Sequence, residues 1–195
     1  DSSTFDKSID YSDSELDNSE YIKVVYTGSI REVNDIEFLL ESAKLCLNLS
    51  PKLLFLIFGE GDQKEFLERR AKSEKITNIV FKGPIEKKYI PSVLKKSNIV
   101  IIHNQSTQLD KYGQSQNKLF EAIASGSPII QTYHPSYSPL ENYRNAHFLT
   151  EQTSEKLKDK IISIISQENF IKDISFRSRY DFSKSSDREL FTPQN

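Results

Sequence analysis

The chain has 195 residues, 28 acidic and 26 basic, for a formal net charge of −2. That length suffices for one domain with a real core, and the near-neutral balance argues against nucleic acid as an electrostatic partner. A single cysteine, Cys46, excludes an intrachain disulfide framework, and no apolar run approaches the roughly 20 residues of a membrane span.

Residues 1–20, DSSTFDKSIDYSDSELDNSE, are acidic, serine-rich and poor in aliphatic side chains, so they read as a linker or loosely attached arm. Order is expected from Tyr21. Short apolar runs then alternate with helical patterns: strands are predicted at 22–28, 53–59, 78–83, 98–103, 128–132 and, more weakly, 146–150. Helices are predicted near 34–48, 62–75, 87–97, 116–125, 138–145 and 152–166. Cys46 falls on the apolar side of the first of these, with Leu39, Leu40, Ala43 and Leu47, and reads as a small core residue. Continuous rather than alternating apolar runs indicate strands buried on both faces. The fold class is therefore α/β: a Rossmann-like domain with a parallel sheet of about six strands and helices on both faces.

All six glycines follow predicted strands, lie in strand-to-helix loops or end a helix. Gly28, Gly59 and Gly83 each terminate a strand, and the carboxyl edge of an open parallel sheet is the ligand edge. Glycine there is expected to let backbone N–H groups approach a ligand closely.

The segment YGQSQNKLFEAIASG, 112–126, places Lys118 in the first turn of a helix, where the dipole disfavours a cation by about 0.3–1 kcal/mol. Leu119, Phe120, Ile123 and Ala124 form its apolar side, and Gly126 with Pro128 supplies the stop. A phosphate at this helix start would accept from backbone N–H groups around Gln116, Asn117 and Lys118 and from the lysine itself. Glu121, one turn deeper, would accept from two vicinal hydroxyls such as a ribose presents. The alternative is an internal Lys118–Glu121 surface pair worth a few tenths of a kcal/mol.

YGQSQNKLFEAIASGSPII resembles the nucleotide-sugar-binding segment of glycosyltransferase family four, of the retaining GT-B type, as found in bacterial polysaccharide synthesis. VVYTGSIREVNDIEFLLESAK, LLFLIFGEGDQKEFLERRAK, NIVFKGPIEKKYIPSVLKKSNIVII and RSRYDFSKSSDREL are similar, in the same order, to the rest of that family's C-terminal domain, so the resemblance covers about residues 21–190. It implies one nucleotide-sugar-binding domain over 21–190 with a closing C-terminal helix, followed by a tail at 191–195. It also implies transfer of a sugar from a nucleotide diphosphate sugar to a glycan or lipid-linked acceptor, with retention.

Residue by residue, the resemblance gives Glu121 the ribose hydroxyls, and Ser115, Gln116, Asn117 and Lys118 the diphosphate. Gly113 and Gln114 fall at the donor sugar, and Pro84 and Ile85, after Gly83, at the base. Gly28 and Arg31 match the glycine loop and a diphosphate-facing cation, and Gly59 and Gly61 match a G-x-G turn near the nucleotide. Arg31 and Lys118 would stabilise the departing diphosphate. The sequence departs from the family pattern at Gly113, where many members have a glutamate, and at Asn34, where many have a lysine.

No cofactor and no metal are implied; the nucleotide sugar, of unknown base, is the substrate, and no H-x-x-x-H, C-x-x-C or D-x-D pattern occurs. The acceptor and half of the reaction cleft would belong to an N-terminal domain not carried here, so the chain alone is expected to bind donor weakly and transfer nothing. The expected setting is cytoplasmic, with peripheral membrane association of the full-length protein through its other domain. The absence of methionine even at residue 1 suggests a chain cut from something longer. His103 and His134 follow predicted strands and read as structural more than cleft-facing. Rival readings are half of a nucleotide-sugar epimerase, a flavodoxin- or receiver-like module, and a degenerate donor domain that mediates assembly.

Overall fold

The computed structural model describes residues 9–105, 117–133, 140 and 145–167. Six strands form one sheet in the order β3-β2-β1-β4-β5-β6. They are β1 (Ile22–Thr27), β2 (Leu53–Phe58), β3 (Ile79–Lys82), β4 (Ile99–Ile102), β5 (Ile129–Gln131) and β6 (Ala146–Phe148). Every pairing is parallel, with Val24 beside Phe55 on one flank and Ile99 on the other. All six predicted strands are present, each shorter than its apolar run. The helices are α1 (Ser14–Asp17), α2 (Glu37–Cys46), α3 (Lys64–Ser73), α4 (Ile90–Lys96), α5 (Asn117–Ser125) and α6 (Ser154–Ile165). The helix expected at 138–145 lies outside the described residues except for residues 140 and 145.

The period of two in the strands divides the core into two layers. Leu53, Phe55 and Ile57 of β2 join Val24, Tyr26, Ile99 and Ile101 beneath α2, α3 and α6, where Leu39, Ala43, Leu67, Leu157 and Ile161 are buried. Leu54, Leu56 and Phe58 join Val25, Val100 and Ile102 beneath α4 and α5, where Val93, Leu94, Leu119 and Ile123 are buried. Both faces of the sheet are covered, which is why the runs read as continuously apolar. Cys46 belongs to the first layer; it is fully buried, and burial pushes its thiol up to about 12.

Residues 9–20 depart from the loosely attached arm expected of them. Asp13 caps α1 by accepting from Glu15 N–H and Leu16 N–H. Leu16, 1% exposed, fills the α4-side core layer over β2. The acidic residues that made this segment look unstructured are ion-pair partners: Asp13 and Glu15 for Lys82, Asp10 and Asp17 for Lys96. Residues 1–8 are outside the described set.

Backbone geometry requires glycine at three positions. Gly126 takes φ 72°, the left-handed turn that ends α5, and its N–H donates to Ile123 O at 3.0 Å. A Cβ on Gly59 would lie 1.8 Å from Gly28 O, and one on Gly61 would lie 2.1 Å from Ile30 O. The loops after β1 and β2 run that close because they extend the sheet pairing. Gly28 N–H donates to Phe58 O, Ile30 N–H to Glu60 O and Gln63 N–H to Ile30 O. These glycines thus admit a neighbouring backbone, and the Gly28 N–H is already engaged, contrary to the expectation that it approaches a ligand.

Candidate functional site: a cleft at the switch point of the sheet

The strand order reverses between β1 and β4, and in such sheets a crevice opens beyond the carboxyl ends of the strands there. A cleft of about 270 Å³ lies at this edge, lined by Thr27, Gly28 and Ser29 after β1 and by Phe58, Gly59 and Glu60 after β2. Pro84, Ile85 and Ile90 after β3 and Lys118 and Glu121 of α5 complete it. Six residues assigned from the sequence therefore share it: Gly28, Gly59, Pro84, Ile85, Lys118 and Glu121. Thr27, Ser29, Phe58 and Glu60, which flank the strand-end glycines, were not anticipated, nor was Ile90 at the start of α4.

Lys118 and Glu121 do not form the surface pair that their spacing allows. Among the described residues Lys118 has no carboxylate partner, and burial alone pulls its ammonium below the usual lysine range. Its Nζ lies 5.7 Å from the centroid of the Tyr26 ring, within range of the ring's negative face. Burial raises the Glu121 carboxyl above its ordinary value, with Lys87 acting in the opposite direction. Two desolvated charges of opposite sign, with no ion-pair partner among the described residues, thus face one cleft, an arrangement suited to a ligand that carries both an anion and hydroxyl donors.

The loop after β1 is closed by its own side chains. Asn34 Nδ2–H donates to Ser29 O at 2.8 Å and to Ser29 Oγ at 2.7 Å. Tyr26 O–H donates to Ser29 O at 3.2 Å, and burial pushes this phenol up to about 12. Asn34, at the position where the resemblance led to the expectation of a lysine, thus forms a neutral clasp.

His103, at the end of β4, ties the same loop to β5. Asp35 O can only accept, so His103 Nε2–H donates to it at 3.0 Å, and Nδ1 accepts from Thr132 Oγ1–H at 2.6 Å. The imidazole stacks on Phe38 with centroids 4.6 Å apart, and burial with the nearby Lys118 charge pulls it down to about 4. It is a neutral structural tie, as its sequence context indicated; His134 lies outside the described residues.

Arg31 is not in the cleft. It is exposed and lines a separate small hollow with Glu32, Asp35, Glu37 and Gln63. Gly61 is held against Ile30, and Gly83 is exposed with nothing within 4 Å of a built Cβ. Gly113, Gln114, Ser115 and Gln116 lie outside the described residues. Asn117 opens α5, which aims the helix start at this edge of the sheet. Among the described residues no cluster of His, Cys, Asp and Glu could hold a metal, and no helix is long and apolar enough to cross a membrane.

The sequence profile of the family described as Glycosyl transferases group 1 matches residues 8–181. The chain belongs to this family. Solved structures agree on the fold of this group 1 glycosyltransferase chain. The C-terminal domain of the group 1 family protein LpcC from Francisella tularensis is similar with a TM-score of 0.68 at 20% identity, over 90% of this chain and 92% of that one. HepE from Anabaena, solved with UDP and glucose, is similar with a TM-score of 0.70 at 14% identity, over 97% of this chain and 50% of that one. Sucrose-phosphate synthase from Thermosynechococcus elongatus gives 0.65 at 17% identity, over 89% and 42%. The group 1 chain thus has the fold of the C-terminal half of a GT-B enzyme and spans half or less of the two longer proteins. No curated protein sequence matches it significantly.

Proposed function

We propose that this chain is the donor-binding half of a glycosyltransferase that moves a sugar from a nucleotide diphosphate sugar to a glycan or lipid-linked acceptor, with retention at the anomeric carbon. The observation that carries the reading is the pair Lys118 and Glu121, both desolvated, neither neutralised by the other, facing one cleft at the switch point. Membership of the family supports the chemistry, and the HepE structure with UDP and glucose supplies a precedent for the donor class.

In this reading Lys118 and the α5 N-terminus hold the diphosphate and stabilise the charge it gains as the glycosidic bond breaks. Glu121 accepts from the ribose hydroxyls, and Pro84, Ile85 and Phe58 enclose the base. No metal or cofactor takes part. The unit spans 21–190 with residues 9–20 docked on it, and the acceptor is met by residues that complete the GT-B fold elsewhere.

One observation favours a second reading, a domain that binds nucleotide without transferring. Arg31 lies outside the cleft and Asn34 is neutral, so Lys118 is the one cation lining the cleft among the described residues. Calorimetric titration of the chain with UDP, GDP, ADP and CMP, repeated with Glu121→Ala, tests the proposal. Selective binding of one nucleotide, lost in the variant, supports a donor site; no binding of any by the folded chain overturns it.

A further inference from the structure

The residues that wall the base end of the cleft are held from behind by the arm. Loop 83–88 carries Pro84 and Ile85, and a Cβ on Gly83 would meet nothing within 4 Å. The loop is fixed at its two ends. At one end Lys82 Nζ pairs with Asp13 at 2.7 Å and Glu15 at 2.6 Å. At the other end the Tyr89 ring meets Tyr11, with centroids 5.6 Å apart. Tyr11 also sets its ring edge-on to Phe58 at 6.0 Å, and Phe58 lines the cleft.

Tyr11 is itself clamped. Its N–H donates to Ser92 Oγ at 2.9 Å, and its carbonyl accepts from Lys96 Nζ at 2.7 Å. Lys96 holds Asp10 and Asp17 on either side of it, at 2.8 and 2.7 Å. Tyr11 does not itself line the cleft, yet it backs Phe58, which does, and the turn that leads into Ile90.

We propose that residues 10–17 act as a positioning strap for the base end of the donor cleft, with Tyr11 as its central residue and the Lys82 and Lys96 ion pairs as its clasps. This rests on the reading of the cleft as a nucleotide site. Docking of the strap sets the position of Phe58, Pro84, Ile85 and Ile90, and thereby the affinity for the nucleoside part of the donor. A rigid wall on the apolar side of a site lowers the ordering cost of binding.

The test uses the whole 195-residue chain and two independent variants, Tyr11→Leu and Lys82→Glu, the latter also combined with Glu15→Lys. Two quantities are read at a temperature where all remain folded: calorimetric affinity for UDP, GDP, ADP and CMP, and the methyl NMR signals of Ile85 and Ile90 without nucleotide. Tyr11→Leu removes both ring contacts and is expected to weaken binding about tenfold and to move both methyl signals. Lys82→Glu is expected to do the same, and Glu15→Lys to restore both.

Unchanged affinity and unchanged Ile85 and Ile90 signals, in variants whose Leu16 amide has lost its hydrogen-exchange protection, would overturn the strap. If the parent chain binds no nucleotide, the donor reading falls by itself. The methyl signals of the nucleotide-free variants still decide whether the strap positions the wall.

Discussion

Lys118 and Glu121 stand one helical turn apart on α5, line the same cleft and leave each other's charge unanswered. A protein that needed only a stable helix would pair or replace them. Each is an unfavourable burial in the free chain, and a ligand that brought the complementary group would offset that cost.

Glu121→Gln is therefore expected to separate stability from binding. Burial raises the pKa of this carboxyl, so the folded state holds a proton more readily than the unfolded state, and wild-type stability falls as pH rises through that interval. The variant removes the cost and should melt a few degrees higher at pH 7, on the order of 2 °C. Nucleotide affinity should drop by about 1.5–3 kcal/mol, the scale of hydrogen bonds to a charged acceptor. Thermal melts and titrations on one preparation check both; a variant less stable than the parent would contradict the desolvated state of Glu121.

Lys118→Met is expected to act in the same sense through the opposite charge. Burial depresses the lysine pKa, so at neutral pH the chain bears the full cost of a desolvated ammonium, and that cost is relieved as pH rises from the folded value toward 10.5. The variant should be more stable than the parent at pH 7, with the difference narrowing in alkali. The parent's thermal shift on adding a nucleoside diphosphate should largely vanish in the variant and not be rescued by Lys118→Gln. Melting curves from pH 7 to pH 10.5, with and without nucleotide, give both readings.

The strand-end glycines divide into two kinds, and substitution tells them apart. A Cβ on Gly59 meets Gly28 O at 1.8 Å, backbone against backbone, so neither side can yield cheaply. Gly59→Ala should cost about 1–3 kcal/mol or more, as overpacking does. A Cβ on Gly83 would meet nothing within 4 Å and its φ is not left-handed, so Gly83→Ala should hold or raise stability by up to about 1 kcal/mol. Urea unfolding of both variants checks the contrast.

The glycines also mark where sequence reading ends. Strand runs such as LLFLIF were legible because burial on both faces leaves a continuous apolar signature, and α5 because Leu119, Ile123 and Gly126 fall at helical spacing. The cleft was legible to the extent that its residues lie on those elements, as Lys118 and Glu121 do. What Gly59 and Gly61 do was not legible, because their neighbour is a loop some thirty residues earlier and no local pattern encodes that approach. The arm was misread for a related reason. One leucine among acidic residues has no periodicity, and the lysines that make those acids structural, Lys82 and Lys96, lie far along the chain. Arg31 was assigned by motif position, but nothing in the sequence says which way a side chain in an exposed loop turns.

His103 supplies a pH dependence with a defined window. Its two ring nitrogens are engaged by Asp35 O and Thr132 Oγ1 in the neutral form, and the folded value of about 4 lies below the ordinary 6.5. Between those values the unfolded chain takes up the proton and the folded chain does not. Stability present at pH 7 is therefore lost as pH falls from 6.5 to about 4, on the order of 3 kcal/mol. Glu15 and Asp17, held down at about 2 by hydrogen bonds from Lys82 and Lys96 first, withdraw their contribution only at lower pH, so the windows barely overlap. His147, half-buried and also depressed, is common to parent and variant. In His103→Gln the amide can still donate to Asp35 O but cannot titrate. Urea midpoints at pH 7, 6, 5 and 4.5 should converge for parent and variant as acid is added, with the parent more stable at pH 7. Parallel lines across that range would mean that His103 takes up its proton in the folded chain, and the tie between Asp35 and Thr132 would have to be redrawn.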